Sequence, residues 1–400
     1  MDPNARFLRD WFRRYYSGSS IEPPDRFGRR EFGFMFFDRN FMQRHTAFSR
    51  TSELEAFLRA SVPAHCYYST AYYQSPGAAT MEEKTWLGAD LIFDLDADHL
   101  KGAERMTYTE MLDKVRVEMI RLLDEFLFGD LGFSTDEVRI VFSGGRGYHA
   151  HVCTPKVLSL GSHERREIVD YITANSLEMS QILEEVTTVT KEFRDNKRVY
   201  KTINIPEEGR GGWWKKVRRG IIWALEAMES MNVEGVRQRF PSVAGESDRA
   251  IQGMLRDLYS DEKGRRGMDI ILEKDNLSSL TTDARQKVFL SILKDVIPDL
   301  VGEVDEPVTS DVKRLIRLPG SLHGKSGLRV SHLTRDDMDT FLPLRDAVPE
   351  VYDDSPTMVV MRERTDISIR DERFSLEGET EVPAYAAVFL IARKMASLAE

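Results

Sequence analysis

Cysteine is nearly absent from this 400-residue chain, which has only Cys66 and Cys153. Two thiols cannot build a disulfide framework, a four-cysteine zinc site or an iron-sulfur cluster. The expectation that follows is a protein of the reducing cytoplasm. Long apolar runs are also missing. The stretch Ala384 to Ala392 is too short to cross a bilayer, and residues 1–17 mix aromatic and charged side chains where a signal peptide would carry an unbroken apolar core. Nor is there an excess of positive charge. At a formal net charge of −10 the chain cannot coat nucleic acid by bulk electrostatics, since nonspecific binding scales with the phosphates neutralised. Any nucleic-acid contact has to be local.

What the chain does hold is ample apolar residue for a core, 41%, and a length beyond one compact domain, so a main body with an insertion is expected. Phe7, Leu8, Trp11, Phe12 and Tyr15 recur at helical spacing and predict an amphipathic N-terminal helix. Alternating aromatic and polar residues between Glu31 and Ser69 predict strands, with a short helix over Glu53 to Ala60, and Gln74 to Thr85 reads as a loop. Met106 to Phe128 is helical in pattern and separates two strand-like runs, one ending at Asp96 and the other at Phe142. Such a strand-helix-strand connection places both strands in one sheet and predicts an α/β core. From Gly161, with Ser162 as N-cap, Glu-, Arg- and Leu-rich runs keep helical periodicity to about Val296. Alternation returns at Arg314 to Leu318 and at Leu328 to Val330, strands that rejoin the core sheet. Pro349 to Thr380 is charged and proline-containing, and is expected to be loosely ordered. The resulting division is a discontinuous core of 1–160 with 297–345, a mainly helical insertion at 161–296, and a C-terminal segment, 346–400, that ends in a helix.

Three segments carry chemistry. In Leu91-Ile92-Phe93-Asp94-Leu95-Asp96-Ala97-Asp98 a strand delivers carboxylates at every second position, and residues i and i+2 share a face with Cα atoms roughly 6.6 Å apart. Two such carboxylates can bracket one hard divalent ion or bridge two. A calcium-loop reading fails, because the sixth position is His99, the twelfth is Arg105 and a strand precedes it; a solvated acidic strand end is the plain alternative. The second segment, Ser143-Gly144-Gly145-Arg146-Gly147-Tyr148-His149, follows a strand. Its glycines let backbone N–H groups approach an anion and Arg146 can grip phosphate oxygens, although a simple tight turn has the same composition. The third runs from Asp305 through Arg317 to Ser326. Its Gly320 to Ser326 stretch imitates a Walker A loop but is one residue too short between glycines. Here Arg317 and His323 can neutralise a triphosphate while Asp305 supplies a third carboxylate; a solvated loop with a structural arginine pair is the alternative. A basic, aromatic run, Gly209 to Arg219, offers Trp213 and Trp214 for base stacking with Lys215 and Lys216 for phosphates. Adjacent tryptophans that anchor the insertion to its own domain are the plainer reading.

Together the segments resemble the catalytic small subunit of archaeal and eukaryotic DNA primase. Four stretches carry the likeness: Arg30 to Phe34; Tyr67 to Tyr73 leading through Gly88-Ala89-Asp90 into Phe93 to His99; Ser143 to His149; and Arg314 to Gly324. Their order and spacing match that family over most of residues 1–335. The resemblance implies a mixed-sheet α/β primase core and template-directed, de novo synthesis of short primers on single-stranded DNA from nucleoside triphosphates. It implies Asp94, Asp96 and Asp305 as metal-binding catalytic carboxylates, with Asp311 the alternative to Asp305, and two Mg²⁺ or Mn²⁺ ions. It assigns Ser143, Arg146, His149, Arg317 and His323 to the nucleotide's phosphates, and places Arg44 near a nucleotide or the template. It also implies a large iron-sulfur subunit as partner and a cytoplasmic, nucleoid-associated setting without membrane contact. Many archaeal relatives carry a Cys/His zinc knuckle between the first two catalytic motifs; Ala97 to Phe142 has no cysteine and only His99, so zinc is not predicted. A repair-type polymerase of the same superfamily, and a noncatalytic nucleic-acid-binding subunit of the same fold, are the rival readings.

Overall fold

The computed structural model describes residues 1–99, 102, 105–175, 177–191, 197–261 and 264–399. The chain forms two compact units, Met1–Ile172 with Glu303–Glu400, and Thr173–Gly302.

The first unit contains two four-stranded antiparallel sheets. In one, the strands follow the order Leu315–Arg317, His65–Ser69, Phe32–Met35, Gln43–Thr46. The alternation of Phe32 and Phe34 puts both rings on the buried side, where Phe32 meets Phe48 at 5.4 Å and Phe34 meets Phe57 of the Thr51–Ser61 helix at 4.6 Å. In the other sheet the order is Ser331–Leu333, Val138–Phe142, Gly147–Val152, Leu91–Asp96. Both motif strands do share one sheet. Each pairs antiparallel with Gly147–Val152, so they run parallel to one another on either side of it. As the strand between them, Gly147–Val152 is buried at every position.

The connection between the motif strands is the helix Tyr108–Arg121, opened by a reciprocal cap in which Thr107 Oγ1 accepts from Glu110 N and the Glu110 carboxylate accepts from Thr107 N. It continues as a wider, π-helical stretch over Leu122–Asp130. The N-terminal helix, Pro3–Gly18, starts at the Asp2 cap and buries Leu8, Trp11, Phe12 and Tyr16. Burying each such side chain contributes roughly 1.5–3 kcal/mol. Trp11 meets Tyr352 edge-on at 5.8 Å.

Two expectations are corrected. Residues 349–380 are not loosely ordered: they include the strands Pro356–Met361, Thr365–Ile369 and Glu372–Leu376, followed by Glu379–Pro383. Their charges sit largely on outward positions of alternating strands while Val359, Met361, Ile369, Phe374 and Leu376 turn inward. Pro356 occupies a first strand position, where a missing N–H costs little. The second correction lies in the insertion, which among the described residues holds, besides its helices, an antiparallel strand pair, Glu184–Lys191 with Lys197–Asn204. The β-branched run from Val186 to Thr190 favours strand over helix there.

Beside that strand pair the second unit is built from helices Gly212–Met228, Val233–Arg239, Asp248–Tyr259, Gly267–Lys274 and Asp283–Val296. Helix Ala384–Ala392 of the first unit is buried along its whole length. Among the described residues no helix is long and apolar enough to cross a membrane.

Candidate active site

The alternation read in the sequence is realised in the Leu91–Asp96 strand, with Leu91, Ile92, Phe93 and Leu95 buried and Asp94 and Asp96 half-buried. In its register Asp94 lies opposite His149, and Asp96 opposite Gly147. A Cβ at Gly147 would overlap the Leu95 carbonyl and come within 3.0 Å of Asp96 Cα. Glycine is thus required for the strands to close tightly beneath the carboxylates.

The loop before Gly147 is held from several sides. Ser143 Oγ accepts N–H bonds from Gly145 (3.2 Å) and Gly147 (3.3 Å). Tyr108 donates its hydroxyl to the Gly145 carbonyl. Gly144 has φ +73°, and a Cβ there would meet His323 Cβ at 2.8 Å. Ser326 donates to the Gly144 carbonyl and lies 3.2 Å from His323 Nδ1, so the glycine loop and the 320–327 loop lock together. Arg317 comes from the edge strand of the other sheet. Its guanidinium lies over the Tyr67 ring at 4.5 Å, with Nη1 donating to His65 Nδ1 at 2.6 Å; the same nitrogen accepts from Gly324 N at 3.2 Å.

These elements enclose a cleft of about 330 Å³. Asp94, Asp96 and Asp98 line it, as do Ser143, His149 and His323. So do five cations, Arg146, Arg314, Arg317, Lys325 and Arg393. Burial raises the Asp96 carboxyl above its ordinary range, helped by the charges of Asp94 and Asp98. Burial with the nearby Arg317 charge lowers His149 to about 3 and His65 to about 2, and drives His323 well below its usual value. All three imidazoles are therefore neutral at pH 7. Five cations against three carboxylates leave the cleft net positive inside an acidic chain, a local field suited to an anion.

Every expected phosphate-binding residue lines this cleft, but several have protein partners. His149 Nε2 lies 3.3 Å from Asp94 Oδ1, Arg146 pairs with Asp98, and Ser143 shapes its own loop. Asp305 reaches the carboxylate strand through its backbone, its N–H donating to the Asp94 carbonyl at 3.1 Å. It joins Asp94, Asp96, Glu118 and Glu303 around a narrow recess of about 30 Å³. Asp311 accepts from Lys313 N and caps a turn. Arg44 is placed elsewhere, doubly bonded to the buried Glu31 with both distances 3.1 Å. In the second unit Trp213 and Lys216 are buried, whereas Lys215 is exposed and Trp214 stacks with Arg210 at 4.9 Å.

Among the described residues no three Asp, Glu, His or Cys side chains stand together as a metal-ligand group. Asp94 and Asp96 form a pair, and oxygen donors on one strand face, repelling each other in a partly buried setting, suit a hard divalent cation.

Tyr67, Asp98, Arg314, Lys325 and Arg393 join the cleft, and His65 supports Arg317 behind it, without having been singled out as site residues. Tyr67, Asp98 and Arg314 lay within the motif segments already noted. Lys325 sits two residues after His323. Arg393 had no sequence signal at all.

The sequence profile of the DNA primase small subunit family matches residues 93–335. The chain is 41% identical to the DNA primase small subunit PriS of Methanocella arvoryzae, with 98% of each chain covered. It is 39% identical to PriS of Methanothrix thermoacetophila, again with 98% of each covered. Similarity to PriS of Picrophilus torridus is 38%, over 98% of this chain and 97% of that one. The chain belongs to the DNA primase small subunit family.

Proposed function

We propose that this protein is the catalytic subunit of a DNA primase, a nucleotidyltransferase that joins nucleoside triphosphates on single-stranded DNA and extends the product into a short primer. The observation that carries the reading is one cleft with strand-borne carboxylates and five cations along its walls. A noncatalytic binding module has no use for the acids, which weaken its hold on phosphate.

Asp94 and Asp96 would hold Mg²⁺ or Mn²⁺, with Asp305, which shares a recess with them, as a third ligand. Ions bound there supply Lewis acidity toward a 3′-hydroxyl and neutralise charge on the departing pyrophosphate. The chain's own contribution is position and field. Arg317, held by His65 and Tyr67, and Lys325 present fixed positive charge to a polyphosphate. Neutral His149, with Nε2 3.3 Å from Asp94 Oδ1, stands beside that carboxylate and limits where it can swing. Neutral His323, packed against Gly145, adds a polar contact without a charge that would repel the neighbouring arginines. Single-stranded DNA as template, a large iron-sulfur subunit as partner and a cytoplasmic, nucleoid-associated setting are part of the same proposal.

The test is nucleotide incorporation on single-stranded template without a primer, in Mg²⁺ or Mn²⁺ and with the large subunit present, comparing wild type with Asp94→Ala plus Asp96→Ala. Short products from wild type alone support the reading. Extension restricted to a supplied primer favours a repair-type polymerase, and template binding without incorporation in either assay favours a noncatalytic subunit.

A further inference from the structure

The fifth cation of the cleft comes from the far end of the chain. Arg393 follows the buried helix Ala384–Ala392, and its backbone N–H donates to the Phe389 carbonyl at 2.9 Å, so its position is fixed by a packed element. The guanidinium carbon lies 5.0 Å from the centre of the Tyr108 ring. Tyr108 meets Phe389 edge-on at 5.3 Å and donates its hydroxyl to Gly145 in the glycine loop. One aromatic ring thus braces both the C-terminal helix and the loop that carries Arg146.

The Arg393 head is short of partners. Its Nε is buried with no hydrogen-bond partner among the described residues. The charges it senses are Arg146, Asp98 and Asp96, and Asp98 is already engaged by Arg146. The buried Nε is closed off, but the guanidinium as a whole lines the cleft and makes no ion pair among the described residues, so the N–H donors on its open side can serve an oxyanion there.

We propose that Arg393 binds the polyphosphate of the incoming nucleotide beside Arg146, making the C-terminal helix part of the nucleotide site. This rests on the reading of the cleft as a nucleotide site. Tyr108 holds the guanidinium on one face and leaves its edge for phosphate oxygens. Binding there links occupancy of the cleft to the seating of the last helix.

Inorganic triphosphate, used as a competitive inhibitor of nucleotide incorporation with divalent ion in excess, isolates the contact from base and template. Arg393→Ala is expected to raise its inhibition constant and the KM for nucleotide about tenfold or more, the worth of a charge-assisted hydrogen bond. The kcat should change far less. Arg393→Lys should recover much of the loss, which a purely packing role against Tyr108 would not give. Thermal unfolding and affinity for single-stranded DNA are measured on the same variants. An unchanged inhibition constant in folded Arg393→Ala overturns the proposal and leaves the primase reading standing. Weaker DNA binding with unchanged triphosphate inhibition also overturns it, by assigning the arginine to a phosphodiester. Wild type that neither incorporates nucleotide nor binds triphosphate sinks the primase reading and this proposal with it.

Discussion

Asp94 and His149 are register partners on adjacent antiparallel strands, and the imidazole Nε2 stands 3.3 Å from the carboxylate. Burial keeps the ring neutral, so it is a polar neighbour of Asp94 and not its counter-ion. His149→Ala is expected to lower incorporation about 10- to 100-fold and to shift half-saturating Mn²⁺ upward, since a group that orients a ligand typically has that weight. A metal titration of activity, with wild type alongside, checks both. An unchanged titration curve would remove His149 from the site.

Asp96 is held above the usual carboxylate range by burial and by the charges of Asp94 and Asp98. A raised folded-state pKa costs stability at pH values above it, and that cost fades as pH falls through it. Asp96→Asn therefore should not lower the melting temperature at pH 7 and should abolish incorporation, by at least about a thousandfold or roughly 4 kcal/mol. Activity and calorimetry on one preparation separate the two effects. A stable variant with wild-type activity would refute the assignment.

Glu31 and Lys84 are both fully buried, 2.6 Å apart, with Arg44 bonded to the same carboxylate. Glu31→Gln leaves Lys84 as a buried charge without its counter-charge, a change worth about 3–5 kcal/mol of stability. The affected strand, Phe32–Met35, lies two strands from Arg317. Denaturant unfolding should show the loss, while specific activity per folded molecule stays near wild type. Equal loss of both would place this cluster in the catalytic machinery.

His65, His149, His151 and His323 are buried, and burial lowers each below the ordinary imidazole range. At pH 5 the unfolded chain binds a proton at each and the folded chain does not, so unfolding takes up about four protons there. With more protons bound in the unfolded state, stability rises with pH, and it falls as pH drops below about 6.5. Calorimetric unfolding at pH 5 in two buffers of different ionisation enthalpy counts the uptake. A count near zero would mean that the imidazoles are accessible and charged.

Much of this arrangement was legible because its signals are local. Asp94 and Asp96 announce a shared strand face through period-two alternation, and Ser143 to His149 announces a turn through its glycines. Arg317 stood out at the end of a short strand, and His323 in the polar loop that follows it. His65 did not, since its role depends on the pairing of His65–Ser69 with Leu315–Arg317, a register that neither strand encodes alone. Arg393 was hidden for the same reason, because an arginine after an apolar helix says nothing of where that helix packs. The strand pair Glu184–Lys191 and Lys197–Asn204 was missed because its charged residues suit a helix face as well as a strand, and its β-branched run was given too little weight. Arg44, noted for its place in sequence, is taken up by Glu31.

Chain order gives the cleft a temporal consequence. Asp94, Asp96, Asp98 and Arg146 leave the ribosome first, the unit Thr173–Gly302 follows, and only then come Arg314, Arg317, Lys325 and, near the C-terminal end, Arg393. A nascent or prematurely terminated chain thus carries three acids against one cation at this place, and the sign of the cleft's charge reverses only as the last segments are made.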